Sequence, residues 1–233
     1  MTQARIITVF NEKGGAGKTT LSCNLAHSLT LRGFSVQLLD LDGQRAATQW
    51  ATATRPPKYP KFGATVWSGD MHTAEQLADE VSKFADLYDI IVADCAPSVE
   101  NESTWAMLTA SDLALIPTKL SKIDMDALAQ AKVLARNALK RLSHPYPVRV
   151  VAMGARPHLN DDDHYIKQLQ KDKEFPLLPV MFGFRQAFPR SRNIGSSVHA
   201  LGVPEATREL EGVTDHVLKL IELPAEKKGR AAA

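Results

Sequence analysis

Two rhythms of apolar residues alternate along this chain. Short β-branched or aliphatic runs stand at Ile6–Phe10, Val36–Asp40, Ile90–Asp94, Leu113–Pro117 and Val148–Met153, separated by longer stretches with apolar residues at helical spacing. Strands alternating with helices predict βαβ units and an α/β fold with a doubly wound, mostly parallel sheet covered by helices on both faces. From Gly17 to Arg32, Leu21, Leu25, Ala26 and Leu29 share a helical face and Gly33 supplies a stop, so this segment is expected to be the first crossover helix. Residues Arg55 to Gly63 contain three prolines and predict a surface connection. Near the end, Val213, Val217, Leu220 and Ile221 recur at helical spacing, followed by Pro224 and a charged, small-residue tail expected to fray. No internal repeat interrupts the pattern, so residues 1–223 are expected to form one domain and 224–233 a disordered tail.

Composition narrows the classes. With 233 residues and 44% hydrophobic content the chain can bury a full core. A formal charge of +2 excludes a uniformly polycationic nucleic-acid wrapper, so any DNA contact must be a local patch. Cys23 and Cys95 form no CxxC pair and read as small buried apolar residues in a reducing compartment. The apolar run at the N-terminus is too short for a signal peptide, and no stretch approaches the ~20 residues of a membrane span. A cytoplasmic protein is expected.

The candidate chemistry follows the first strand: Lys13-Gly14-Gly15-Ala16-Gly17-Lys18-Thr19-Thr20 opens the first helix. A strand, a glycine-rich turn and a helix N-terminus aim backbone N–H groups at one point, which suits a polyphosphate. In such loops Lys18 reaches the β- and γ-phosphates and the Thr19 hydroxyl is placed for Mg²⁺. The strict G-x-x-x-x-G-K-[ST] pattern fails, because Glu12 holds its first glycine position and a second lysine, Lys13, precedes the double glycine.

That sequence resembles the deviant Walker A motif of the ParA/MinD family of ATPases. Leu38-Leu39-Asp40-Leu41-Asp42-Gly43-Gln44 is similar to the family's second-strand motif, with Gly43 where proline is usual, and Ile90-Ile91-Val92-Ala93-Asp94-Cys95-Ala96-Pro97-Ser98 to its Walker B segment. The resemblance spans Ile6 to Leu223 and is strongest in the first half. It implies ATP and Mg²⁺ as cofactors, with residues 13–20 around the phosphates and Lys13 as a signature lysine crossing to the ATP of a partner in a homodimer. It implies Asp40 as the acid that positions water, close to the metal, with Asp94 and Thr19 on Mg²⁺. A plainer reading of Asp40 is a strand-end carboxylate capping the next turn. Arg156 stands where relatives carry an Asn-Arg pair near adenine, although Ala155 replaces the asparagine. Lys119 to Asp124 lacks the prolines many relatives have there, and Ser121-Lys122-Ile123-Asp124 shares letters with the guanine motif of GTPases but lies too far from its strand.

Other features have bland readings. Asp161-Asp162-Asp163 between His158 and His164 fits a helix start better than a metal site. Trp50, Trp67 and Trp105 are scattered and read as packing. Between Glu174 and Glu205 no acidic residue occurs, while Arg185, Arg190, Arg192 and His199 do. The region is similar to the one where partition ATPases bind DNA non-specifically, which implies Arg185, Arg190 and Arg192 as DNA contacts. The expected function is a nucleoid-associated partition ATPase working with a ParB-type partner. A MinD-like membrane-cycling ATPase is the alternative, disfavoured by the lack of a terminal amphipathic helix.

Overall fold

A computed structural model describes residues 3–54, 56–69, 73–97, 102–156 and 158–227. Arg55, Ser98 at the end of the Walker B-like segment, and residues 228–233 of the expected tail lie outside these ranges. Seven parallel strands make one sheet in the order β3-β2-β4-β1-β5-β6-β7. They are β1 (Arg5–Val9), β2 (Val36–Leu41), β3 (Thr65–Trp67), β4 (Ile90–Cys95), β5 (Leu113–Thr118), β6 (Val148–Ala155) and β7 (Phe182–Gly183). Helices α1 (Lys18–Leu31), α2 (Ala46–Thr52), α3 (Ala74–Ala85), α4 (Glu102–Ala110), α5 (Lys122–Leu139), α6 (Asn160–Gln170), α7 (Ala187–Asn193) and α8 (Pro204–Leu220) connect or follow them. A 3₁₀ turn, Val198–Leu201, separates α7 from α8. The five expected strands and the doubly wound class are therefore present. The two unforeseen strands are the short sheet edges.

The unbroken apolar runs have a direct cause. Successive residues of a strand point to opposite faces, and both faces here are covered. Ile7, Val9, Leu38, Val92 and Leu115 pack in one layer with α1, α2, α7 and α8, while Ile6, Leu39, Ile91, Ala93 and Ile116 pack in the other with α3 to α6. Trp50 is fully buried in the first layer, its indole N–H donating to the Ser196 carbonyl at 2.7 Å. Trp67 and Trp105 pack at the rim of the second.

Helix α1 is buried around most of its girth because α8 covers the side turned away from the sheet. There the packing is partly polar: Ser28, Arg32 and His199 converge on Glu211. These contacts hold Glu211 down at about 2, chiefly through His199 and Arg32. Within α8, Val213 and Val217 are buried, so this apolar face is committed to the core rather than available to a bilayer. Among the described residues no helix is long and apolar enough to cross a membrane. The tail is tied down at its start. Ala225 accepts from Arg32 at 3.0 Å, and Lys227 pairs with Asp89 at 2.6 Å.

Candidate functional site

Because all strands run the same way, their C-terminal ends share one edge, and β1, β4 and β2 lie side by side there. Register sets Val9 opposite Asp94 and Asp94 opposite Asp40, so the chain leaving β1 enters its glycine turn level with two carboxylates on neighbouring strands. Gly15 and Gly17 adopt φ of +74° and +106°, left-handed values that cost other residues strain. At Gly17, the N-cap of α1, a Cβ would also come within 3.0 Å of Met153. The turn thus needs its glycines for conformation as well as for close approach.

Lys18, the first residue of α1, is only 6% exposed and folds back to donate to the Lys13 carbonyl at 3.2 Å. Desolvation lowers its pKa, against the raising effect of Asp94 and Asp42. Asp94 is fully buried; Ser22 donates to its Oδ1 at 3.1 Å. Burial, aided by the charge of Asp40, pushes Asp94 up to about 7 although Thr19, Ser22 and Lys18 oppose the shift. Asp40 is also buried, and its Oδ2 accepts from the N–H and hydroxyl of Thr48 at 2.8 and 2.7 Å. So Asp40 does cap the first turn of α2, the plainer of its two readings, yet only with one oxygen. Among the described residues, Asp40 Oδ1 and Asp94 Oδ2 are buried without a hydrogen-bond partner. Unsatisfied buried carboxylate oxygens are costly, and two beside a lysine and a threonine hydroxyl make a donor set of the hard-oxygen type that Mg²⁺ prefers.

Within the single chain Lys13 has a partner of its own. Its Nζ pairs at 2.5 Å with Asp124 of the same chain, at the start of α5. Asp124 is itself fixed by a reciprocal cap with Ser121, whose oxygen accepts from the Asp124 N–H at 3.3 Å and whose hydroxyl donates to the Asp124 carboxylate. The Ser-Lys-Ile-Asp segment is therefore a helix start that also anchors the lysine, a role its sequence did not suggest.

Two adjoining cavities, about 220 and 420 Å³, run from Gly15, Gly17 and Thr20 past Phe184 to Arg156 and His158. Phe184 is 67% exposed, and the Arg156 guanidinium lies 5.2 Å from its ring centre. The Arg156 N–H donates to buried Asp162 at 2.6 Å. Asp162 therefore fixes the loop carrying Arg156, and among the described residues no group of three or more metal-ligating side chains exists at this acidic turn or elsewhere. Arg185 lines the same cleft and is paired with Glu209 at 2.8 Å, so its place is the cleft wall, with its charge already balanced. Arg190 and Arg192 are exposed on α7, away from any acidic partner among the described residues.

A protein-family model described as the CobQ/CobB/MinD/ParA nucleotide binding domain matches residues 7–212. "Maintenance of carboxysome distribution protein A" of Halothiobacillus neapolitanus is 31% identical over 144 residues, covering 59% of this chain and 61% of that protein. Across the first such relatives the chain spans between 46% and 61% of their length. In fold, apo McdA of Cyanothece superposes with a TM-score of 0.76 at 17% identity, over 92% of this chain and 99% of that one. A putative plasmid partition protein of Borrelia burgdorferi, bound to AMPPNP, gives 0.69 at 19% identity over 93% and 99%. These likenesses concern the fold.

Proposed function

The chain belongs to the CobQ/CobB/MinD/ParA nucleotide-binding family, and from that premise we propose that it is a ParA-type partition ATPase acting in the cytoplasm on nucleoid DNA. Mg-ATP binding drives a sandwich homodimer, the dimer binds DNA without sequence preference, and slow hydrolysis stimulated by a ParB-type partner resets the cycle. Its cargo, a plasmid, a chromosome or a protein body, is set by that partner. The observation that carries the reading is the level arrangement of the glycine turn, Lys18, Asp94 and Asp40, with two carboxylate oxygens left unpaired.

In this reading the backbone N–H groups of residues 14–20 and the start of α1 hold the phosphates, and Lys18 exchanges its bond to the Lys13 carbonyl for phosphate oxygens. Thr19 and Asp94 hold Mg²⁺, which when bound neutralises charge on the β- and γ-phosphate oxygens. Asp40, braced by Thr48, would use its unpaired oxygen to orient the attacking water. Lys13 leaves Asp124 and stabilises γ-phosphate charge on the partner's nucleotide. Phe184 and Arg156 flank the base. The first turn of α5 and two loops at this edge carry the exposed apolar residues Ile123, Leu159 and Phe184, surface that a second copy would cover.

The test separates binding from turnover. Lys18→Ala is expected to abolish ATP binding in equilibrium dialysis, whereas Asp40→Ala retains binding and ATP-dependent dimerisation but releases no phosphate. Wild-type turnover by the Asp40 variant would remove the assignment.

A further inference from the structure

Resting on the DNA-binding reading above, we propose that the DNA face is composite: the α2–β3 connection, through Lys58 and Lys61, continues the surface begun by Arg190 and Arg192 of α7. Two segments distant in sequence carry it. Residues 175–204 contain no acid, and neither do residues 43–69, which hold Arg45, Arg55, Lys58 and Lys61. The fold packs these two segments together. The Trp50 indole bonds to Ser196, Arg192 reaches Gln49 at 3.4 Å, and the Gly195 backbone lies so close to α2 that an added Cβ would meet the Trp50 and Ala53 carbonyl oxygens at 3.0 Å. The connection therefore starts at the C-terminal turn of α7.

Its local structure points Lys58 outward. The Tyr59 N–H donates to the Pro56 carbonyl at 3.1 Å, closing a turn with Pro57 and Lys58 at its centre, and Pro is preferred at the first central position of such turns. The Lys58 ammonium lies 5.0 Å from the centre of the Tyr59 ring. Both Lys58 and Lys61 are exposed, and among the described residues neither has an acidic partner. Five residues from Ala53 to Lys58 span at most about 18 Å even when extended, comparable with a major groove of about 12 Å and its flanking phosphates. One duplex can meet both clusters.

Absence of acids in sequence is not sufficient by itself. Residues 127–160 are equally free of them, yet there Lys132, Arg136 and Arg156 pair in space with Asp172, Glu174 and Asp162. On α8, Glu209 and Glu211 are occupied by Arg185 and by Arg32 and His199. Phosphate is favoured over a bilayer as the occupant because none of the exposed large apolar residues falls in 43–69 or α7.

The assay is fluorescence anisotropy with two unrelated 30-base-pair duplexes, with Mg-ATP, over a salt series. Lys58→Ala with Lys61→Ala is compared with Arg190→Ala with Arg192→Ala, and with Lys140→Ala and Arg141→Ala, which remove equal charge at the far end of α5. Two lost phosphate contacts reduce the log–log salt slope by about 2 and the affinity at 0.1 M salt by roughly tens-fold. The Lys58/Lys61 pair is expected to do this on both duplexes while ATP-dependent dimerisation persists, and Lys58→Arg with Lys61→Arg is expected to retain binding. If the α7 pair weakens binding and the loop pair behaves like the α5 control, the composite face is overturned and the DNA reading stands. If the wild type binds neither duplex at any salt, the DNA reading fails and takes the inference with it. Loss of binding to anionic phosphatidylglycerol vesicles, with DNA binding intact, would assign the loop to lipid and also overturn it.

Discussion

Replacing Asp94 by asparagine should make the free protein more stable at alkaline pH while crippling its use of metal. Asp94 is fully buried with one oxygen unpaired, and burial raises it from an ordinary 3.8 to about 7. A carboxyl raised on folding binds its proton more tightly in the folded state. Its contribution is therefore favourable below pH 3.8 and is lost as pH climbs through about 7. Roughly 3 pKa units at about 1.4 kcal/mol each set a ceiling near 4 kcal/mol. Asparagine retains an acceptor for Ser22 but withdraws the charge that favours protonated Lys18, which returns part of the gain. A net gain of about 1–3 kcal/mol at pH 8 is expected, or a Tm higher by roughly 2–12 °C for a chain of this size. The assay is thermal unfolding in EDTA at pH 5, 6, 7 and 8. At pH 5 the gain should have fallen by more than half. Added Mg-ATP should stabilise the wild type beyond ATP in EDTA, but not the variant. A variant no more stable than wild type at pH 8, or a gain equal at pH 5 and 8, would refute the account of Asp94 as an uncompensated buried charge.

Two further outcomes bear on the glycine turn and its lysine. Lys13→Gln removes the ion pair to Asp124 but no contact that holds the turn closed within its own chain. It should bind ATP and sediment as a monomer, and unchanged ATP-dependent dimerisation would confine Lys13 to its own subunit. Gly17→Ala forces a Cβ onto a backbone at φ +106° and into Met153. This should lower stability by about 1–3 kcal/mol and Tm by roughly 2–12 °C, and an unchanged melt would show that the turn relaxes at no cost.

Features encoded in contiguous residues were legible from the sequence; those formed by distant residues meeting were not. The strand–turn–helix around residues 6–32, the two acid-terminated strands and the parallel sheet all declare themselves within short windows, because periodicity and glycine are local signals. β3 and β7 escaped because strands of three and two residues leave no period to read. Asp124 was visible only as part of a mismatched nucleotide motif; what gives it meaning is Lys13, 111 residues earlier in the chain. Thr48 likewise looked like an ordinary helical residue until the fold set it against Asp40. Arg185 stands with Arg190 and Arg192 in sequence, and its pairing with Glu209, 24 residues away, emerges only from the fold.

The same distinction explains why charge was the hardest property to read. A lysine or arginine acts as a free cation only if the fold brings it no acid, and acids arrive from anywhere. Of the acid-free stretches, residues 127–160 have much of their positive charge balanced by acids beyond Asn160, and in 175–204 Arg185 and His199 are balanced by Glu209 and Glu211, whereas Lys58, Lys61, Arg190 and Arg192 meet no acid among the described residues. A pair of one-signed segments in contact is unfavourable by itself, since like charges repel. Trp50 and Gly195 supply the packing that holds this contact together. A surface kept positive against its own repulsion is stabilised when an anion covers it, and a polyanion that releases counterions on binding meets that need most fully.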